Sequence, residues 1–173
     1  YMLILESILE NLVTDGILNS DYAEGRKQKR SLKYRLWRRS TEVDRAIDTY
    51  IQNFKNRKIK VLDLGCADGL MLKNLSKKYN IDATGLELSK GLYEMALANC
   101  DGMNIINKDI NDLSFLGDSI FDLIICTAVL EHLEDSDSTI FYIEKLLAPQ
   151  GITVWTVPDP FWEEVATRVG HLD

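Results

Sequence analysis

Apolar positions along this chain follow two regimes. Up to Asn56 they recur at helical spacing, and from Ile59 onward short apolar runs alternate with amphipathic stretches. In the first regime Leu5, Ile8, Leu9 and Leu12 form one stripe closed by Asp15 and Gly16, which predicts a helix over residues 3–14. A second helix is predicted from Ser40 or Thr41, either of which can act as N-cap, with Val43, Ile47, Tyr50, Ile51 and Phe54 on one face. In the second regime the predicted strands are 59–64, 82–86, 104–107, 121–126 and 152–157. Helical patterns fall between them. One carries Leu72, Leu75 and Tyr79, and one spans 89–99 with Leu92, Met95 and Ala96 inward. A third spans 137–147 with Ile140, Ile143 and Leu147 aligned, stopped by Pro149 and Gly151. Phe121 to Cys126, FDLIIC, is apolar almost throughout, as a strand covered on both faces must be. Regular strand–helix alternation with short connections implies right-handed crossovers. The expected fold is α/β, a doubly wound, mostly parallel sheet, with an N-terminal helical arm over residues 1–56 and the sheet domain over 57–173.

In such a sheet, ligands sit beyond the carboxyl ends of the strands, at the point where the strand order reverses. The residues at those ends therefore carry the chemistry. The first strand runs into VLDLGCADG, a strand, a glycine-bearing turn and a helix N-terminus, which together cradle the polar part of a nucleotide-like ligand. Gly65 permits close backbone approach, Cys66 and Ala67 are small, Gly69 closes the loop, and Asp63 places a carboxylate where a buried acid needs partners. The spacing does not suit a dinucleotide, which wants G-x-G-x-x-G: Ala67 stands at the second glycine and Leu70 at the third. The second strand delivers Glu87, in GLELS, able to accept from both hydroxyls of a ribose. The third delivers Asp109 and Ile110, an acid that can take an adenine amino group beside an apolar cover for the ring. The fourth delivers Thr127, Ala128 and Val129, in TAVLEHL.

From Lys60 to Pro158, the blocks VLDLGCADG, GLELS, NKDI, FDLIICTAVLEHL and LLAPQGITVWTVP occur in order. In these the chain resembles the class I S-adenosylmethionine-dependent methyltransferases of the type 11/12 sort. Their first motif is an acidic residue, an apolar residue and then G-x-G-x-G, and Ala67 replaces its middle glycine. The resemblance implies S-adenosyl-L-methionine as cofactor and S-adenosyl-L-homocysteine as product. It implies that Asp63, Gly65, Cys66, Ala67 and Gly69 surround the methionine moiety and that Glu87 holds the ribose. Leu88 would flank the adenine, Asp109 would bind its amino group with Ile110 beside it, and Thr127 would lie under the sulfonium end. The family continues past the fifth strand with a helix and an antiparallel pair of strands, so those final strands are expected to be missing from a chain that stops at Asp173.

Methyl transfer from a sulfonium is an in-line displacement that alignment can largely accelerate, so the protein need not supply a nucleophile. An acceptor hydroxyl or protonated amine would need a base, and His132, in LEHL, is the candidate; packing or capping of a short helix is the alternative role for it. Glu131 and His132 also resemble part of a magnesium site of some O-methyltransferases. That site has a further acid upstream, where this chain has Thr127 and Ala128, so no metal is expected. CTAV replaces the D/N-P-P-Y/F motif of enzymes that methylate exocyclic amino groups of DNA, and the PDP at 158–160 follows the wrong strand. Trp155, Phe161 and Trp162 cluster near that end, as an acceptor pocket or as core.

Composition narrows the partners. With 46% hydrophobic and 27% charged residues the 173-residue chain has a globular profile, and its net charge of -7 makes nucleic acid an unlikely partner. Arg26 to Arg39 is nonetheless dense in cations interleaved with Tyr34 and Trp37, as a solvated helix face or an anion-facing lid over the site. Cys66, Cys100 and Cys126 are odd in number and spaced for neither zinc nor a disulfide framework. They read as reduced residues of a cytoplasmic protein. No apolar run approaches a membrane span, and nothing in the opening residues suggests secretion, so none is expected. The expected function is methyl transfer to a small-molecule acceptor. The alternatives are an RNA or protein methyltransferase using the basic arm, and a non-catalytic cofactor-binding partner subunit.

Overall fold

The computed structural model describes residues 25, 30–50, 57–127, 129, 133 and 135–156. The expected helix over 3–14, Ile51 and Phe54 of the second helix, and everything past Thr156 lie outside the described residues.

The sheet is built on β1 (Ile59–Leu64), whose residues are buried except Lys60. It pairs in parallel with β2 (Ile81–Leu86) from Ile59↔Ile81 to Leu64↔Leu86, and with β4 (Phe121–Thr127) from Val61↔Leu123 to Leu64↔Cys126. β3 (Asn104–Ile106) joins β2 and β5 (Leu147–Thr156) joins β4, both in parallel, giving the order β3-β2-β1-β4-β5. The winding reverses between β1 and β4, as expected of a doubly wound sheet, and sheets of this kind bind ligands beyond the carboxyl ends of the strands at such a reversal. Every residue of β4 is buried, the property that its unbroken apolar run requires.

Strand alternation divides the core into two. Val61, Leu123 and Ile125 point to one face, where they meet Val43 and Ile47 of α1 (Arg30–Tyr50), Met71, Leu72 and Leu75 of α2 (Leu70–Lys78) and Ala96 of α3 (Lys90–Asn99). Leu62, Leu64, Ile124 and Cys126 point to the other, against Ile143 and Leu146 of α4 (Ser136–Leu146). Asp63 lies two residues past Val61 and so belongs to the α1–α2 face.

Several boundaries differ from the sequence pattern. α1 begins by Arg30, not at Ser40 or Thr41, so most of the basic run is helix. Leucine, lysine and arginine favour helix strongly enough to carry it through the two hydroxyl residues. Thr41 Oγ1 donates back to the Trp37 carbonyl at 2.8 Å, an interior bond that uses its hydroxyl away from any cap, and Ser40 Oγ is buried without a partner among the described residues. Tyr79 lies just beyond α2 in extended backbone. α4 is capped by Asp135, which accepts from the Ser138 amide at 3.0 Å, and its inward residues are Thr139, Ile143 and Leu146, leaving Ile140 exposed. Pro149 and Gly151 fall inside β5. The pairing skips from Phe121↔Leu147 to Leu123↔Ile152, and Gln150 takes a left-handed φ of 67° in the intervening kink.

The amino ends of the strands are fastened by charge. Arg57 donates twice to Asp122, at 2.5 and 2.7 Å, and the Lys60 amide donates to the same carboxylate at 2.9 Å. Burial pushes the Asp122 carboxyl up, but these donors outweigh it and hold it below its ordinary range. At the same end α1 is tied to α2 by Asp44 with Lys78 and by Asp48, which accepts from the Tyr79 hydroxyl at 2.8 Å.

Candidate active site

The loop leaving β1 makes a turn that few residue types tolerate. Gly65, Ala67 and Gly69 all have positive φ, of 76°, 50° and 74°. A Cβ on Gly65 would stand 2.6 Å from Val129 Cγ2, in the segment that follows β4, so glycine is needed there for space as well as for angle. A Cβ on Gly69 would stand 2.4 Å from Cys100 Sγ. Ala67 is the exception: it holds a left-handed conformation with a side chain, at a cost of about 1–2 kcal/mol. The middle glycine of the motif pattern is thus explained, and so is the strain its replacement brings.

The loop is joined to the end of β2. The amides of Gly65 and Cys66 both donate to the Leu86 carbonyl at 2.9 Å. One oxygen of Glu87 accepts from the Ala67 amide at 2.9 Å and the other from the Ser89 amide at 2.8 Å. The glycine loop and this carboxylate, read from the sequence as separate features, are one hydrogen-bonded unit. Burial raises the Glu87 carboxyl above its ordinary value, the Ser89 and Ala67 amides pull it back down, and the nearby Asp68 raises it further.

Asp63, 2% exposed at the carboxyl end of β1, is held above its ordinary value at about 7. Burial is the main cause, the charge of Glu87 adds to it, and Arg39 on α1 opposes both. Asp63, Asp68 and Glu87 together form a buried acidic group around the loop, and such a group favours a positively charged ligand. Burial also pushes the Cys66 thiol up, far from the thiolate that a nucleophile would need.

Leu88, Asp109, Ile110 and Thr127 close or follow the other strands. Leu88 is 44% exposed beside Glu87. Asp109 is half-buried and uses Oδ1 to accept from the Asn111 amide and side chain, each at 2.9 Å, which fixes its orientation. Ile110 is half-buried against the core of the α4 face. Thr127 is buried at the end of β4, paired with Thr156 of β5. His132, Glu131, Ala128, Phe161 and Trp162 lie outside the described residues. Trp155 is half-buried in β5, packed on the α4-face core, with its Nε1 donating to Thr153 at 2.7 Å.

Four supporting contacts were not read from the sequence. Asn107 Nδ2 donates to the Glu87 carbonyl at 2.7 Å and the Leu88 carbonyl at 2.8 Å, clamping the segment that bears the acid. Asn99 Nδ2 donates to the Asp68 carbonyl at 2.9 Å and is itself held by Lys73. Val129 closes over Gly65, and Arg39 reaches the field of Asp63. An asparagine directly after a strand was a readable signal for Asn107, in NKDI. The other three act through tertiary approach and have no local signature.

Strand order, glycine-bearing loop and strand-end carboxylate together define the Rossmann-like fold of class I S-adenosylmethionine-dependent methyltransferases. The chain belongs to the methyltransferase-domain family, whose model matches residues 34–172. It is 34% identical over 102 residues to a malonyl-[acyl-carrier protein] O-methyltransferase of Priestia megaterium, covering 57% of this chain and 36% of that protein. It is 31% identical over 106 residues to a ubiquinone biosynthesis O-methyltransferase of Pasteurella multocida, covering 54% and 43%. The chain thus spans less than half the length of these relatives. The fold matches the plantazolicin methyltransferase BpumL, solved with a pentazolic desmethylPZN analog and SAH. The TM-score is 0.71 at 20% identity, over 86% of this chain and 56% of that one.

Proposed function

We propose that this chain is the cofactor-binding part of an enzyme that transfers a methyl group from S-adenosyl-L-methionine to a small-molecule acceptor. The observation that carries the reading is the 2.9 Å bond from the Ala67 amide to Glu87, which fuses the motif loop and the ribose-type acid into one preformed cradle at the switch point. Family membership and SAH-bound neighbours of the same fold support it. When bound, the cofactor supplies a methyl group on a sulfonium with a good leaving thioether. Gly65, Cys66, Ala67 and Gly69 surround the methionine portion, and Asp63 and Asp68 supply the negative field that suits its cationic groups. Glu87 keeps acceptor capacity for the ribose hydroxyls while its two amide donors fix its plane. Leu88 and Ile110 would cover the adenine, Asp109 would take its amino group, and Thr127 would lie near the sulfonium end.

The chain's own residues bind and align, and alignment supplies most of the rate. His132 would serve as base only for an acceptor that must lose a proton. Two relatives named as O-methyltransferases favour oxygen as the methylated atom. The N-terminal arm over residues 1–56, to which α1 belongs, would act as a lid over the site. Three buried cysteines fit a cytoplasmic location, and no described helix is long and apolar enough to cross a membrane. A screen of metabolite pools for production of S-adenosyl-L-homocysteine tests the reading. Turnover with one pool would identify the acceptor class, and turnover with RNA or protein pools alone would overturn the small-molecule assignment.

A further inference from the structure

α1 extends past the body of the domain. Its carboxyl half is fixed at the amino ends of the strands, by Asp44 to Lys78 and Asp48 to Tyr79. Climbing from Asp48 to Arg39 covers about 13 Å of helix, close to the roughly 13 Å of strand between Ile59 and Asp63. Arg39 accordingly stands near the level of Asp63, whose charge it opposes. The helix then continues to Arg30, about 13 Å farther, beyond the carboxyl ends of the strands and beside the mouth of the proposed site.

The outward face of this projecting half has a distinct chemistry. Arg30, Lys33, Tyr34, Trp37 and Arg38 fall at helical spacing and are all exposed, while Leu36, Val43 and Ile47 face the core. Tyr34 is 59% exposed and Trp37 58%, with ring centroids 5.5 Å apart. Between Arg30 and Arg39 there are five cations and no acid. Arg38 pairs with Glu42, but Arg30, Lys33 and Arg35 pair with no acid among the described residues. The rest of the chain is more acidic than the net charge of -7, so this acid-free group of cations stands out as the place to meet an anionic partner.

From this we infer that the amino-terminal half of α1 is a peripheral docking surface for an anionic lipid membrane. Tyrosine and tryptophan are the side chains that settle at the headgroup level, with an apolar ring and a polar tip. Flanking lysine and arginine contribute attraction to anionic headgroups while their stems lie along the interface. A nucleic acid would meet the acidic remainder of the chain over much of its length; a planar surface touches only the tip. Docked this way, α1 brings the mouth of the crevice to the bilayer, where an apolar acceptor would reside. The inference rests on the exposed face of α1 and not on methyl transfer.

Co-sedimentation of the full 173-residue chain with vesicles tests it. Vesicles of equimolar phosphatidylglycerol and phosphatidylcholine should carry the chain down at low salt, and vesicles of phosphatidylcholine alone should not. The triple variant Arg30→Gln, Lys33→Gln, Arg35→Gln should weaken partition at least about tenfold, since each cation near an anionic surface contributes roughly fivefold. Trp37→Ala should weaken it separately, and because these side chains are exposed, the thermal melt of every variant should match that of the parent chain. No partition into anionic vesicles, or equal partition of parent and variants, would overturn the inference. So would capture of a soluble acidic protein through the same three cations with no vesicle binding.

Discussion

At the residue scale, the loop after β1 shows how one position can satisfy a motif imperfectly and still fold. Ala67 occupies a left-handed conformation that Gly65 and Gly69 reach without penalty. Ala67→Gly should therefore stabilise the chain by about 1 kcal/mol, even after the extra entropy of an unfolded glycine. The measurement is a thermal melt, and a lower melting temperature would mean that the angle is not strained. Asp63 gives a second prediction, with a sign that follows from its direction of shift. Its folded value of about 7 lies above the ordinary carboxylate range. Between that range and about 7 the folded chain holds a proton that the unfolded chain has released, so stability should fall as pH rises through this window and level off above it. Melts between about pH 5 and pH 8 should show that slope in the parent and lose it in Asp63→Asn. An identical slope in both would assign the pH dependence to another group.

At the element scale, the sheet is held at one end by charge and kept open at the other for chemistry. Asp122 receives Arg57 and the Lys60 amide. Removing the carboxylate leaves a backbone donor without its acceptor as well as a cation without its partner. Removing Arg57, which is half exposed, leaves the Lys60 bond in place. Asp122→Ala should therefore destabilise the fold more than Arg57→Ala in denaturant titrations, and equal effects would show that the amide bond contributes nothing. The same scale shows what the sequence could reveal. Each strand of the second regime was legible, β1 to the residue and β2, β3 and β4 within one residue, because buried parallel strands are short apolar runs between turn signals. β5 reaches back to Leu147 through a kink whose pairing depends on β4, information that no local pattern holds. The start of α1 was misplaced because Ser40 and Thr41 look like caps in isolation, whereas the helix that continues through them is decided by Leu36, Val43 and Ile47 sharing one face against the core. The candidate site was legible as a set of strand ends. The Glu87–Ala67 bond, the Asn107 clamp and the Val129 approach were not, since each joins segments distant in sequence.

At the scale of the whole molecule, the strand order turns these local features into one crevice. Reversal of the winding between β1 and β4 leaves the Gly65 loop facing the segment after β4, with Glu87 on one side and Thr127 on the other. α1 covers the face on which Asp63 lies and carries the opposing charge of Arg39 to it. A buried group of carboxylates around a turn that lacks the dinucleotide glycines suits a cationic adenosyl ligand. Titration calorimetry of the chain with S-adenosyl-L-homocysteine, with NAD, and with the Glu87→Ala variant tests it most directly. One site is expected for S-adenosyl-L-homocysteine and none for NAD. The affinity should be about ten- to a hundredfold weaker in the variant, since a hydrogen bond to a charged acceptor contributes about 1.5–3 kcal/mol. Binding of NAD without binding of S-adenosyl-L-homocysteine, or an affinity unchanged by the loss of Glu87, would contradict it.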